Sequence, residues 1–261
     1  MEKSVIKAIK LLETLTAAEQ PEGIATLARK LDINKSNVHR LLQTLVEWGY
    51  VRKADDDGNY ELTLKMWQMG ITVLARRDIA AIAQPHLRTL LESTGESANL
   101  SVLEDGRVVY VSRIECLHPV RAHNRIGANL PVYCSSNGKA ILAFQPDIVI
   151  KEHCGDLVKY TERTITSERR LLEELKAVRR KGYAINRGEF RIGVHGVAAP
   201  VRNAEGRVEA AVGVSGPSER FKPQAVKRVA AEVRRCADQV SAELGYRQKR
   251  GNGGGRGRCS S

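Results

Sequence analysis

Apolar spacing predicts an α+β chain in two parts: a small three-helix unit with a hairpin, then an antiparallel sheet covered by helices. Two observations carry this. Between Ile24 and Val46 a helical period runs, stops for three residues and resumes. Beyond Gly95, strand-like alternation comes in pairs around short turns, at Glu104 to Gly106 and again at Asn203 to Gly206, with long amphipathic stretches between.

In chain order, Val5, Ala8, Ile9, Leu12 and Leu15 share one face of a first helix. Ile24, Leu27, Ala28 and Leu31 give a second helix. Asp32, Ile33 and Asn34 interrupt it, and Val38, Leu41, Leu42, Leu45 and Val46 give a third. Asn34 is the expected N-cap, its side chain accepting from free amides of the third helix. The outer face of that helix carries Lys35, Ser36, Asn37, His39, Arg40 and Gln43. Short donors near a helix start, with an arginine one turn on, suit phosphates and base edges in a major groove. An ordinary helical hairpin with a solvated polar face fits the same spacing. Trp48 to Val51 ends the helix and opens a strand, Asp55 to Gly58 is a turn, and Asn59 to Thr63 alternates as the return strand. Residues 1–64 therefore read as a winged helix-turn-helix domain, with Arg52 and Lys53 on the flank of the wing. The carboxylates of Asp55, Asp56 and Asp57 would be repelled by phosphates, so the wing tip is expected to point away from DNA or to be a solvated turn. Residues 65–78 read as a linker helix. The apolar stripe Leu64, Trp67, Ile71 and Leu74 would pair with a second copy, dock on the second domain or pack on its own unit.

Residues 79–246 form the second domain. A helix over Ala80 to Thr94, kinked or broken by Pro85, stops at Gly95. Strands follow at Asn99 to Leu103, Val108 to Ile114, Val197 to Val201 and Val208 to Ser215. Helices over Ser167 to Lys181 and Pro223 to Leu244 close on Gly182 and Gly245. Ser135 to Lys139 opens an apolar helix, Ala140 to Phe144, and the free amides there are expected to hold a carboxylate or phosphate; a plain N-cap is the alternative. Ser136 and Lys139 also satisfy the S-x-x-K spacing of serine acyl transferases, but no K-T-G or S-D-N follows in the expected roles, so an enzyme is not expected and no residue is assigned to catalysis. Residues 247–261 read as a flexible tail, inert or DNA-assisting.

The net charge of +12 does not itself argue for DNA binding. Over residues 1–70 acidic and basic side chains are equal in number, and the excess lies beyond them. Inside the first domain the signs segregate: Lys35, Arg40, Arg52 and Lys53 lie beside the reading elements, and Glu13, Glu19 and Glu22 precede them. Nonspecific DNA packing would explain a basic tail but not a second domain. Five cysteines without C-x-x-C spacing indicate neither a disulfide framework nor a zinc ribbon. Cys134 with His195 or His153 is a possible metal pair, weighed below a packed thiol, and neither metal nor cofactor is expected. Without a signal segment or an apolar run long enough to span a membrane, a cytoplasmic protein is expected.

The chain resembles the IclR family of bacterial transcription regulators from about Val5 to Gly245. The matching pieces, in order, are KSNVHRLLQTLVEWGYV at 35–51, YELTLKMWQMG at 60–70, STGESANLSVL at 93–103, RIGANLPVYCSSNGKAILA at 125–143, ERTITS at 162–167, GYAINRGEFRIGVHGVAAPV at 182–201 and GVSGPSER at 213–220. Two of them look especially like regulators of 2-keto-3-deoxygluconate and other sugar-acid catabolism. The resemblance implies a GAF-like or PAS-like effector domain whose pocket is lined by Ser136, Asn137, Gly138, Asn186, Val194, Gly196, Gly213, Val214 and Ser215. Asn186 stands where an acidic residue is frequent, and Gly196 where some relatives carry cysteine. An amide at 186 and the hydroxyl of Ser215 would donate to a sugar acid. The implied partners are a double-stranded, pseudo-palindromic operator, a small carboxylate effector and further copies of the chain, as dimer or tetramer. Repression is the favoured outcome, with activation as the alternative.

Overall fold

The computed structural model describes residues 3–54, 58–75, 79–122 and 125–247, the side chains of 71 and 73–75 excepted. The chain divides into two compact units, Met1–Arg77 and Asp78–Ser261.

Unit one runs α1 (Lys3–Ala17), β1 (Glu22–Gly23), α2 (Ile24–Leu31), α3 (Lys35–Glu47), β2 (Val51–Lys53), β3 (Asn59–Leu62) and α4 (Lys65–Ala75). The strands pair antiparallel in the order β1-β3-β2. Leu11 and Leu15 of α1 meet Leu27, Ala28, Val38, Leu42 and Leu45 of α2 and α3, with Val51 and Tyr60 closing the core from the hairpin. The buried stripe of α1 is thus narrower than its apolar pattern suggests: Val5 and Ile9 are 54% and 51% exposed. Asp32 turns the chain with φ 53, and the amides of Asp32 and Ile33 return to the Arg29 and Ala28 carbonyls at 3.4 and 3.1 Å. Asn34 caps α3 differently from expectation. Its side chain makes no capping bond, and its backbone carbonyl instead accepts from Asn37 and Val38 at 2.9 and 3.1 Å. Lys65 fastens the start of α4 to the end of α3, donating to the Trp48 carbonyl at 2.6 Å with its ammonium 4.3 Å from the Tyr50 ring centre. Leu64 and Trp67 remain 75% and 63% exposed, which removes packing on their own unit as their role. Ile71, Leu74, the Asp55–Asp57 tip and the glycine-rich tail lie outside the described side chains or residues.

Unit two runs α5 (Ile79–Thr94), β4 (Ser97–Glu104), β5 (Arg107–Ile114), β6 (Asn129–Pro131), α6 (Ser136–Leu142), α7 (Asp147–Glu152), α8 (Glu168–Lys181), β7 (Ala184–Arg187), β8 (Val194–Arg202), β9 (Val208–Pro217) and α9 (Pro223–Glu243). One antiparallel sheet, in the order β6-β5-β4-β9-β8-β7, separates two cores. Val197, Ala199, Val201, Ala210, Val212 and Val214 face α5 and α9, while Ala184, Ala198 and Ala211 face α6 and α8. Strand alternation therefore fixes which residues look toward α6. Asp105 and Gly106, with φ 44 and 74, make the tight turn between β4 and β5. Pro85 sits inside an unbroken α5. Gly182, with φ 75, ends α8 and donates to the Val178 carbonyl at 2.8 Å.

Candidate functional site

In unit one, α2 presses the apolar side of α3 inward and turns its opposite face to solvent. Lys35, Ser36, His39, Arg40 and Gln43 are exposed and Asn37 is half-buried, so one face of α3 gathers the whole predicted reading set. On the wing flank Lys53 is exposed, and Arg52, itself exposed, pairs with Glu61 of the neighbouring strand at 2.7 Å.

In unit two a cavity of about 430 Å³ opens between the start of α6 and the sheet. Ser136 and Asn137 line it from α6, and Asn186, Val194, Gly196 and Ser215 from β7, β8 and β9. The loops supply Arg125 on one side and Phe190 and Arg191 on the other, and Tyr110 and Leu130 extend the floor. Among the described residues no carboxylate lines this space. Burial, then the neighbouring Cys134, pushes the Tyr110 phenol up to about 12, so it stays a neutral hydroxyl.

Three of the expected lining residues do not reach the cavity. Val214 points toward α5 and α9 because β9 alternates, placing Ser215 and Gly213 on the α6 side instead. Gly213 lies beneath Asn137, whose Oδ1 would be 2.9 Å from a Cβ there. Gly138 packs on the backbone of Val132, where a Cβ would come within 2.1 Å of the carbonyl oxygen. Two of the expected free amides are taken up within the turn. Ser135 caps α6, accepting from Gly138 N at 3.0 Å, and its carbonyl takes the Lys139 amide. Arg125 and Arg191, which spacing did not single out, also line the cavity. Arg125 begins a family-like segment, and Arg191 stands between Gly188 and Gly193, the only signals that marked either.

Lys139 settles the S-x-x-K pattern. Its side chain is fully buried and its ammonium is held by Glu189 at 2.8 Å and Glu174 at 3.2 Å, so it is not available to activate Ser136. Burial outweighs the Lys139 ammonium and pushes the Glu189 carboxyl up. The same loop is pinned from the other side, where Thr161 and Thr164 donate to the Gly188 and Glu189 carbonyls at 2.8 and 2.6 Å. Cys134 is a packed thiol, pushed up to about 12 by burial, and among the described residues no group of three His, Cys, Asp or Glu is placed to hold a metal. His195 lines the cavity edge with Nε2 sealed and without a partner; burial, then Arg163 and Arg187, lowers its imidazole. No described helix is long and apolar enough to cross a membrane.

Two family descriptions cover most of the chain: the IclR helix-turn-helix domain matches residues 4–55, and the bacterial transcriptional regulator IclR C-terminal domain matches residues 71–242. The chain is 33% identical over 246 residues to the HTH-type transcriptional regulator KdgR of Escherichia coli (strain K12), covering 93% of each. It is 35% identical over 249 residues to the DNA-binding transcriptional repressor YiaJ of the same organism, covering 94% of this chain and 88% of that one. The crystal structure of the Thermotoga maritima IclR superimposes with a TM-score of 0.80 at 29% identity, covering 94% of this chain and all of that one. These relatives are regulators rather than enzymes. Reading helix and enclosed cavity occur in the two units that the two descriptions match, and the chain belongs to the IclR family of DNA-binding, effector-controlled bacterial transcriptional regulators.

Proposed function

We propose that the protein represses a catabolic operon from the cytoplasm and that a small carboxylate, such as a sugar acid, bound in the unit-two cavity controls it. In this reading residues 1–64 are the reading head, 65–78 the linker helix, 79–246 the effector domain and 247–261 an accessory tail. The observation that carries the ligand class is electrostatic: Arg125 and Arg191 line the cavity, and among the described residues no Asp or Glu does. Likeness to KdgR and to the repressor YiaJ supports a repressor of sugar-acid genes. Lys35, Ser36, Asn37, His39, Arg40 and Gln43 enter the major groove, while Lys53, and Arg52 once released from Glu61, touch phosphates. Two half-sites need at least a dimer. The effector acts by binding one arrangement of the heads better than the other.

The test is a titration of the full chain, at two salt concentrations, onto labelled DNA from upstream of its own and neighbouring genes, with and without sugar acids. Sequence-specific binding that an acid weakens supports the reading; binding that tracks salt alone overturns it in favour of nonspecific packing. Arg40→Ala is expected to cost about 1–3 kcal/mol of specific binding and to leave the nonspecific component nearly unchanged. Full operator affinity in that variant would move the reading face elsewhere.

A further inference from the structure

The hydrogen-bonding valences of the cavity wall are fixed by the residues behind it. Asn137 is 2% exposed, and its Nδ2 donates to Asn99 Oδ1 at 2.9 Å and to the Ala211 carbonyl at 3.3 Å. A backbone carbonyl can only accept, so this bond sets which way the amide faces. The remaining atom, Oδ1, has no partner among the described residues and is not among the sealed polar atoms, and Asn137 lines the cavity. Gly213 makes room for that oxygen. Beside it, Ser136 is 5% exposed, and its hydroxyl is likewise without a partner among the described residues. Gly196 keeps that hydroxyl clear, since a Cβ there would come within 2.9 Å of it. Across the cavity Asn186 is oriented the opposite way. Its Oδ1 accepts the amides of Gly188 and Glu189 at 3.0 and 2.9 Å, which leaves Nδ2 as its donor for a ligand in the cavity that Asn186 lines.

The wall therefore presents one obligate acceptor, one hydroxyl and one obligate donor. Carboxylate and keto oxygens satisfy Asn186, but neither can satisfy Asn137. A buried acceptor facing a ligand acceptor loses its hydration without replacement, which is what makes such sites reject analogues that lack the matching donor. We propose that Asn137, seconded by Ser136, reads a ligand hydroxyl, so that the effector is a hydroxylated organic acid and not its keto or unsubstituted counterpart. This rests on the cavity being the effector site and deepens that reading by naming the substituent the site selects.

Calorimetric titration of the full-length protein with matched acids tests it: glycerate and lactate against pyruvate and propionate, and gluconate against hexanoate. A hydroxylated acid is expected to bind about tenfold or more tightly than its hydroxyl-free counterpart. Ser136→Ala and Asn137→Ala should bring that ratio toward one, the hydroxyl-free acid binding no more weakly than to the wild type because the unpaired group is gone. If Asn137→Ala fails to fold by circular dichroism, the ratios in the wild type and in Ser136→Ala decide. Equal binding within every matched set, as a bridging water would produce, overturns the hydroxyl reading and leaves the cavity as effector site. Absence of binding by every acid, with operator binding intact and unresponsive to all of them, overturns both.

Discussion

The missing Cβ at Gly196 sets how much of the cavity a ligand can use. A methyl group there would stand 2.9 Å from Ser136 Oγ and 3.0 Å from the Val214 carbonyl, and the latter cannot swing away. Gly196→Ala is expected to lose about 1–3 kcal/mol of effector affinity through overpacking, with specific operator binding kept. Unchanged affinity by calorimetry would show that the ligand does not use this wall. His195 makes a second prediction at this scale. Its imidazole titrates below its ordinary 6.5 because burial, then Arg163 and Arg187, disfavours the cation, while Glu219 opposes them. The unfolded chain takes up that proton at its ordinary value and the folded chain resists, so stability is retained above that value and lost as pH falls below it. The melting temperature should fall between about pH 7 and about pH 5, and less so in His195→Gln. Equal slopes would count against it. Single residues were legible where a period governs them. The alternation of β9 separates Val214 from Ser215, whereas resemblance had carried over Gly213, Val214 and Ser215 as one block. Arg125 and Arg191 sit on loops, where no period exists to say which side chain turns inward.

Among elements, α6 joins the cavity to the interior. Its first residues, Ser136 and Asn137, face the ligand space, and one turn later Lys139 reaches Glu189, next to the lining residues Phe190 and Arg191. The ion pair thus holds the loop across the cavity from α6, beyond its contribution to stability. Lys139→Met strands two carboxylates, one of them buried, and is expected to cost about 3–5 kcal/mol of unfolding free energy by urea titration. Glu189→Gln keeps shape and a hydrogen-bonding partner for Lys139, and should cost less. A Lys139→Met protein as stable as the wild type would mean that the pair contributes nothing net. The long elements were legible because each repeats its period several times: α3, α8, α9 and the hairpin strands of unit two lie where spacing put them. The strands β1, β6 and β7 and the six-residue α7 escaped because two to six residues barely complete a period, and their existence depends on the partner they pair or pack with. Asn34 shows the converse, a residue of the right type at the right place whose backbone, not side chain, does the capping.

For the whole molecule, the unburied apolar surface of α4 is what the isolated chain leaves unexplained. Leu64 and Trp67 are largely exposed, and an indole in water next to a leucine is surface that association removes. The stripe was legible in sequence as an apolar period, and the exposure of Leu64 and Trp67 is what turns a choice among three packings into a proposal of pairing outside its own unit. We propose that a second copy covers it, which would also bring two α3 helices to two half-sites. A buried tryptophan at such an interface typically contributes about 2 kcal/mol or more, so Trp67→Glu should shift the assembly toward monomer by sedimentation at micromolar protein. Operator affinity should fall with it, because a lone head gains only half of the contacts, while acid binding in the unit-two cavity stays unchanged. If Trp67→Glu lowers operator affinity without changing the sedimenting species, α4 acts on the heads by another route; if neither changes, the covering surface lies elsewhere. The coupled outcome, assembly and operator lost together with the acid still bound, would place pairing through α4 between the ligand cavity and the DNA.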